Sequence, residues 1–407
     1  MLLPHAAISS SSFNRTLAIQ ASWQFNSFRI LYGRSMPAAG LPSPARTGSV
    51  PLRWWRLSTN RPKPDGWSGC RPLVCSIEET GMKTKVVVTD YIEPDLNWEA
   101  EQMAKRGVEF VYHQLKFAPK EQVIAATRDA DIVVVNMVPI TADITAGWEK
   151  CKLVIRHGVG YDNVDVEALE KAGIPLCYIP DYCVDEVAEQ AIALMLACAR
   201  KIVTSRKVLE DSAASGQWDF RPVIPMFRMT GQTVGIIGCG RIGSRVFQKM
   251  GSFGVKFLIC DPYLTAERKR ELGIQVVDKR TVFQNSDYVT IHTPLTPETR
   301  HIVNAQTLAM MKPTAYLVNT ARGPMVDAFA LADALKNGVI AGAAIDVYDR
   351  EPPPPDHPLM NLPNAILTPH LAWYSEDGAR TIRELIVLEI DRFLAGLPPR
   401  YVAKPVV

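Results

Sequence analysis

Three short apolar runs of the sequence each lead into a polar side chain of a reactive type. These side chains are Arg322, Glu351 and His370. A histidine exchanges protons near neutral pH, and a carboxylate beside it orients the ring. An arginine stays charged and can hold a carboxylate through two parallel hydrogen bonds. The three residue types therefore suit proton transfer on a small acid that carries a carboxylate.

A glycine triplet indicates a second kind of chemistry. Gly238, Gly240 and Gly243 follow the apolar run Thr233–Ile237 and open a helical stretch. In such a unit the first glycine makes a tight turn, the second lets the backbone approach a pyrophosphate, and the third packs helix on strand. The free amides and positive dipole end of the helix attract the phosphates. The pattern predicts a dinucleotide site.

The acid after the next apolar run indicates which dinucleotide binds. Asp261 follows the run Lys256–Cys260 and lies 18 residues after Gly243. A carboxylate there accepts hydrogen bonds from the ribose hydroxyls and repels a 2′-phosphate. Pro262 comes next, so no arginine stands beside the acid to bind that phosphate. The sequence predicts NAD, and a hydride transfer between nicotinamide and the 2-carbon of a 2-hydroxy or 2-oxo acid.

Apolar runs that alternate with helical stretches predict the elements that position these residues. Such alternation is typical of parallel sheets. The predicted fold class is therefore α/β, with two Rossmann-like, doubly wound parallel-sheet domains, the nucleotide-binding one inserted in the substrate-binding one. The expected strands are 86–88, 108–111, 132–135, 153–155, 233–237, 256–260, 288–292, 315–319, 343–347 and 365–368.

The predicted domains follow from the same pattern. Residues 82–181 form the first part of the substrate-binding domain, 182–374 the NAD-binding domain, and 375–407 a return helix and tail of the first domain. An apolar helix near 185–201 should be buried between domains or subunits, because it is apolar on more than one face.

The first 81 residues do not resemble a domain, because they are rich in Ser, Arg, Pro and Trp and show no helical or strand period. One interpretation is an organelle transit peptide, which would be Arg-rich, Ser-rich and poor in acids. The other is a start codon placed too early, with the protein beginning at Met82. Trp54, Trp55 and the run 61–64 favour the second. We expect this leader to be disordered and dispensable.

Composition excludes several other classes of protein. The chain has 407 residues, 47% of them hydrophobic and 21% charged, which suits two globular domains. Most of the net charge of +3 arises at the amino end, so we expect no nucleic-acid partner. No apolar run has membrane-spanning length. The eight cysteines lack paired metal spacing, so we expect free thiols, no metal site and a cytoplasmic protein, unless residues 1–81 are a transit peptide.

Taken together, the polar blocks resemble the D-isomer-specific 2-hydroxyacid dehydrogenase family over nearly all of 82–407. The blocks are 156–165, the glycine motif, 292–296, 319–323 and 368–370. The resemblance implies a catalytic set of Arg322, Glu351 and His370, and a substrate carboxylate bound by backbone amides around Val159 and Gly160. It also implies a homodimer joined through the cofactor domains. The cofactor-binding residues expected from the motifs are Gly238, Gly240, Arg241, Ile242, Gly243, Asp261, His292, Thr293, Pro294, Thr320 and Asp346.

Within the family, 179–183 and 370–376 are most similar to the C-terminal-binding-protein branch. Arg156 matches a substrate-contacting arginine of that branch, and Trp373 replaces the Gly or Ala of many other members. We expect Trp373 to form a wall of the substrate pocket; the alternative is that it packs between the domains. Gln190 departs from the histidine of many relatives, and nothing in the sequence explains it.

Two other functions remain open at this point. An NAD-sensing scaffold or corepressor-like protein could bind the cofactor only to assemble with partners, yet such a protein would not need Arg322, Glu351 and His370 together. A phosphoglycerate dehydrogenase would use the same catalytic set on a phosphorylated acid, and would need further cations for the phosphate.

Overall fold

The structure is a computed structural model that describes residues 83–405. The predictions for 1–81 lie outside these residues. The first sheet consists of β1 (Lys85–Val88), β2 (Glu109–Tyr112), β3 (Ile132–Val135), β4 (Leu153–Arg156) and β5 (Leu176–Tyr178), in the order β2-β1-β3-β4-β5. All neighbouring pairs are parallel. The connecting helices are α1 (Asn97–Lys105), α2 (Lys120–Thr127), α3 (Ala142–Ala146) and α4 (Val166–Lys171).

Two longer helices follow the first sheet. Helix α5 (Val184–Ala199) packs Ala188, Ala191 and Met195 against buried residues of the second sheet. Helix α6 (Ile202–Ser215) has no buried residue. Of these two helices, α5 is therefore part of a hydrophobic core and α6 is not.

The second sheet consists of six parallel strands in the order β11-β10-β9-β8-β6-β7. A parallel bridge between Ile259 and Val276 extends it beyond β7, which gives the strand order of a dinucleotide-binding fold. Its elements are β6 (Thr233–Ile237), α7 (Arg241–Met250), β7 (Lys256–Cys260), α8 (Ala266–Leu272), α9 (Lys279–Asn285), β8 (Tyr288–Ile291), α10 (Ala305–Met310), β9 (Tyr316–Asn319), α11 (Ala328–Lys336), β10 (Gly342–Ile345) and β11 (Ala365–Leu367).

The last helix, α12 (Glu376–Leu394), returns to the first sheet. Its Ile382, Ile386 and Ile390 join the core formed by one face of that sheet. Arg383 donates to Glu99 of α1, which adds a partly buried ion pair to the apolar contact. The chain thus leaves the first sheet after β5 and comes back to it at the end.

The two-sheet α/β architecture confirms the predicted fold class. Strands β3, β6 and β7 have the predicted bounds, and the other predicted strands differ by a few residues at their ends. Strand β5 was not predicted, because a three-residue run ending in Tyr178 gives no clear apolar period. The domain boundaries at 82, 182 and 375 stay predictions.

Candidate active site

A cleft of about 1430 Å³ lies at the carboxyl ends of strands from both sheets. The first sheet contributes Arg156 at the end of β4, and the second contributes residues after β6, β8 and β9. Ligands of open parallel sheets bind at such edges, where the strand order reverses. Thirteen further residues of the predicted site line the cleft: Val159, Gly160, Gly240, Arg241, Ile242, His292, Thr293, Pro294, Thr320, Arg322, Glu351, His370 and Trp373.

His370 and Glu351 form a hydrogen-bonded pair in the cleft. Their Nδ1 and Oε2 atoms lie 2.7 Å apart, and Glu351 Oε1 also accepts from the Tyr348 amide at 3.1 Å. Burial acts to raise the pKa of Glu351, but the hydrogen bond and charge of His370 outweigh it, so the pKa lies below its ordinary value. Glu351 is therefore an anion at neutral pH that orients the ring and leaves Nε2 for another partner.

The turn that carries His370 is fixed by Asp346. His370 has a left-handed backbone (φ 52°), which is uncommon for a residue other than glycine. The Asp346 carboxylate is fully buried and accepts from the Thr368 hydroxyl and from the amides of Leu371 and Ala372. Its carbonyl accepts from the His370 amide at 2.7 Å. These bonds hold the ring against Glu351.

Asp346 is predicted to contact the cofactor, and that contact stays a prediction; in the structure its carboxylate bonds to the 368–372 turn. It does not line the cleft, because its carboxylate points into the 368–372 turn. Gly238, Gly243 and Asp261 also lie outside the cleft lining. The role of Asp346 in this geometry is to position the turn.

Arg322 reaches across the cleft from the second sheet to the first. Asn319 at the end of β9 holds its turn by accepting from the Ala321 amide and donating to the Arg322 carbonyl. The Arg322 Nε donates to Asp162 Oδ1 at 2.7 Å. Among the described residues Nη2 has no acceptor, so one edge of the guanidinium is available to a ligand.

Gly160 leaves room for the Arg322 guanidinium, because glycine has no side chain. A Cβ atom on Gly160 would lie 1.4 Å from the Arg322 Nη2, so any other residue there would displace the guanidinium. The amides of Val159 and Gly160 donate to no acceptor in residues 83–405. Two free amides beside a free guanidinium edge give this part of the cleft, named the anion-binding corner, the donors that an anion would need.

Arg156 is a buried cation in the same cleft. Its side chain is 8% exposed, and its Nε has no hydrogen-bond partner among the described atoms. Burial, helped by the nearby charge of Arg322, lowers its pKa to about 10. Its Nη1 donates to the His157 carbonyl and, at 3.4 Å, to Asn136 Oδ1. No carboxylate of the described chain pairs with it.

Trp373 packs in the cleft wall beside two tyrosines. Its ring centroid is 6.3 Å from that of Tyr182 and 5.3 Å from that of Tyr374. It also packs against Cys183 and Val187 at the start of α5, where the chain passes from one sheet to the other. Trp373 thus lines the cleft and also supports the connection between the sheets.

The glycine motif has the geometry that a pyrophosphate requires. Gly238 has φ 87°, and a Cβ there would lie 2.8 Å from the His292 carbonyl carbon. A Cβ on Gly243 would lie 2.0 Å from the Gly238 carbonyl, so helix and strand need this glycine to pack. Gly240 faces open space instead. The open position lies at the start of α7, where phosphate binds in such folds.

Two further observations fit a bound dinucleotide. The Thr320 hydroxyl is buried in the cleft without a hydrogen-bond partner, so a ligand could supply one. The Asp261 carboxylate is held by the amides of Cys239 (2.8 Å) and Tyr263 (3.0 Å), directly after β7. Burial lowers the pKa of His292 to about 3, so the ring beside this site is neutral.

Two acids that support the cleft were not singled out from the sequence. Asp162 pairs with Arg322, and Asp90 after β1 accepts from the amides of Asn136 and Met137. Asp162 lies inside the 156–165 block, and Asp90 is a buried acid at a strand end. Its place just after an apolar run was the feature of the sequence that could have identified Asp90. The pairing of Asp162 with a residue 160 positions away could not be found in the sequence.

The fold and the cleft are those of a dinucleotide-dependent oxidoreductase, with a hydrogen-bonded His–Glu pair in the cleft. The profile described as "D-isomer specific 2-hydroxyacid dehydrogenase, NAD binding domain" matches residues 192–372. The glyoxylate reductase of Thermofilum pendens is 37% identical over 339 residues, which cover 80% of this chain and 96% of that protein. The chain belongs to the D-isomer-specific 2-hydroxyacid dehydrogenase family.

Two other relatives support the same assignment. The D-3-phosphoglycerate dehydrogenase of Methanocaldococcus jannaschii is 37% identical over 77% of this chain and 58% of that protein. The D-lactate dehydrogenase of Aquifex aeolicus, solved with NAD and lactic acid, has a TM-score of 0.68 and 27% identity, covering 76% of this chain and 96% of that one. The protein is an NAD-dependent enzyme that interconverts 2-hydroxy and 2-oxo acids.

No helix within residues 83–405 is long and apolar enough to cross a membrane. The same residues hold no group of three or more His, Cys, Asp or Glu side chains that could bind a metal ion.

Proposed function

We propose that this enzyme reduces a small 2-oxo acid with His370 as the general acid, and oxidises the matching D-2-hydroxy acid with His370 as the general base. The observation that carries the proposal is the His370–Glu351 pair, 2.7 Å apart, in one cleft with the free edge of Arg322. An acid/base and a carboxylate grip are the groups that this reaction needs from the protein.

The geometry supports a division of roles among the residues. Arg322 Nη2 and the amides of Val159 and Gly160 hold the substrate carboxylate at the anion-binding corner. His370 Nε2 then faces the 2-oxygen and gives it a proton during reduction, while Glu351 keeps Nδ1 protonated. In the reverse direction the hydroxyl proton returns to Nε2.

When bound, NAD would supply or accept the hydride at the 2-carbon. Gly240, Arg241 and Ile242 would hold its pyrophosphate, and Asp261 the adenosine ribose. Thr320, His292 and the following Thr293 and Pro294 would contact the rest of the cofactor on the cleft wall. Each of these residues except Asp261 lines the cleft.

The test is a screen of 2-oxo acids with NADH on the purified full chain. We expect NADH oxidation with at least one acid of two to six carbons, and with none of the matching acids that lack the 2-oxo group. Turnover of a 2-oxo acid by NADPH at an efficiency comparable with NADH would contradict the cofactor assignment. A chain that binds NADH but turns over no acid would support the scaffold or corepressor alternative.

A second substrate class is favoured by Arg156. A buried guanidinium without a carboxylate partner is costly unless a ligand supplies the anion. Lys116 lies in the same cleft and has no ion pair within the described residues. A 2-hydroxy acid with a second anionic group, such as 3-phosphoglycerate, would fit these two cations.

Arg156→Gln separates the two classes. If the substrate has an anionic tail, the variant should lose at least tenfold in kcat/KM for it and change little for an apolar acid of equal length. Equal losses for both kinds of acid would leave Arg156 as a general support of the cleft and remove this second candidate.

We further propose a homodimer that forms through the segment from α6 to Phe227. Seven large apolar side chains of this segment are exposed, including Trp218 at 83% and Phe220 at 62%. So dense an apolar surface indicates an interface. Sedimentation should give a dimer for the full chain and a monomer for Trp218→Ser/Phe220→Ser; a monomeric full chain would contradict the proposal.

Two further proposals concern the branch of the family to which the protein belongs and its location in the cell. The six cysteines of the described chain are all free and mostly buried, which suits the reducing cytoplasm. The blocks at 179–183 and 370–376 support the C-terminal-binding-protein branch, and Tyr182 and Trp373 of these blocks meet in the cleft.

A further inference from the structure

A cation that its sequence position did not reveal lies against the glycine motif. Arg268 lies seven residues after Asp261, in α8, and Pro262 had suggested that no arginine stands near the acid. In the structure Arg268 Nη2 lies 3.4 Å from the hydroxyl of Ser244, the residue that follows Gly243. The arginine therefore sits against the first turn of α7.

Asp261 and Arg268 both lie near Cys239, a residue of the glycine motif. Asp261 Oδ2 accepts from the Cys239 amide at 2.8 Å. Burial, with the charge of Asp261, raises the pKa of the Cys239 thiol to about 11, and the charge of Arg268 opposes that rise. Asp261 and Arg268 thus both act on Cys239, which lies between two glycines of the motif.

We propose that Arg268 is the cationic half of a latent 2′-phosphate site, and that Asp261 and Arg268 together set the preference between NAD and NADP. Asp261 repels the 2′-phosphate, which carries up to two negative charges. An arginine binds phosphate with paired hydrogen bonds. Without the acid, the guanidinium of Arg268 can turn from Glu271, 2.8 Å away, to the phosphate.

The ion pair between Arg268 and Glu271 is exposed to solvent at both ends. The Arg268 side chain is 42% exposed and its partner Glu271 is 52% exposed. An exposed pair three residues apart on a helix contributes little to stability, so a phosphate competes with it easily. The two amides that hold Asp261 fix the acid instead, which explains why the acid decides the preference in the native chain.

The test uses binding alone, so it does not depend on the proposed substrate or on turnover. Calorimetry would compare 2′,5′-ADP with 5′-ADP on the full chain, on Asp261→Ser, and on Asp261→Ser/Arg268→Gln. We expect Asp261→Ser to bind 2′,5′-ADP at least tenfold more tightly than the native chain does. The double variant should lose most of that gain while it still binds 5′-ADP.

Arg270→Gln in the Asp261→Ser background is the matched control. It removes one positive charge from the same helix, and its exposed side chain makes no ion pair among the described residues. We expect the full gain to remain in this variant. A gain that persists without Arg268, or one that Arg270→Gln also removes, would overturn the proposal, as would the absence of any gain in Asp261→Ser.

Asp261→Asn is a second variant, for use if the Asp261→Ser substitution unfolds the turn. An asparagine oxygen can still accept from one of the two amides that Asp261 holds. The NADPH:NADH ratio of dissociation constants, measured by fluorescence titration, should fall by at least tenfold in this variant. The ratio should return towards its native value when Arg268→Gln is added.

Discussion

At the scale of single residues, the proposed function depends on side chains that lie apart in the sequence and meet only in the folded chain. His370 and Glu351 are 19 positions apart and meet at 2.7 Å. The pKa of Glu351 lies below its ordinary value, so the pair persists through the neutral range and is lost only as the pH falls through that lowered value.

Glu351→Gln should change the pH dependence of the reaction. Reduction takes a proton from His370, and glutamine removes the anion that lies 2.7 Å from the ring Nδ1. Without the anion, the rate of reduction at neutral pH should fall, and its dependence on pH should differ from that of the native enzyme. Rates of NADH oxidation between pH 5 and 9 would measure both effects, and a profile identical to that of the native enzyme would disprove the pairing.

Arg322→Lys should weaken substrate binding and turnover together. A lysine keeps the charge but cannot hold both Asp162 and a carboxylate, as the planar guanidinium can. We expect KM to rise and kcat to fall, each by about tenfold or more, in steady-state assays. Arg245→Lys on the surface of α7 is the control, and an Arg322→Lys enzyme that matched it would contradict the two-pronged grip.

At the scale of elements, strand ends and turns determine where these side chains lie. The predicted strands are found because buried parallel strands are nearly continuous runs of Val and Ile, as in β3. The turn after β11 could not be predicted, because its left-handed His370 depends on a hydrogen-bond network with Asp346 from the neighbouring strand end. Such networks join segments that spacing does not relate.

Asp346→Asn should show this dependence directly. The asparagine side chain keeps one acceptor oxygen, but its NH2 group would face the backbone N–H of Leu371 or Ala372, which now donates to the carboxylate. We expect the free energy of unfolding to fall by about 1–3 kcal/mol, together with a lower kcat. Urea denaturation and turnover with NADH would measure both. Unchanged stability and turnover would mean that the turn is held by other contacts.

Trp373→Ala tests the wall of the cleft at the same scale. If the indole contacts the substrate tail, each methylene of a 2-oxo acid adds roughly 0.8 kcal/mol, or about fourfold in kcat/KM, in the native enzyme. The variant should flatten that dependence and still turn over the smallest acids. An equal loss for every chain length, with a lower melting temperature, would instead assign Trp373 to the packing around Cys183 and Val187.

At the scale of the whole molecule, function arises where two sheets share one cleft. The sequence predicted both sheets, the glycine motif and the three catalytic candidates, because strand ends and glycines carry local signals. It did not reveal Asp162 beside Arg322 or Arg268 beside the glycine motif. Both contacts join segments from different parts of the chain, 160 positions apart for Arg322 and Asp162.

The measurement that tests the central claim most directly is the effect of His370→Ala on turnover and on NADH binding in the same preparation. The general-acid role predicts that kcat falls by roughly two to four powers of ten, while the NADH dissociation constant from fluorescence titration changes by less than about threefold. His113→Ala, outside the cleft, should keep native turnover. A His370→Ala enzyme with native kcat, or one that loses NADH binding to the same extent as turnover, would contradict the account.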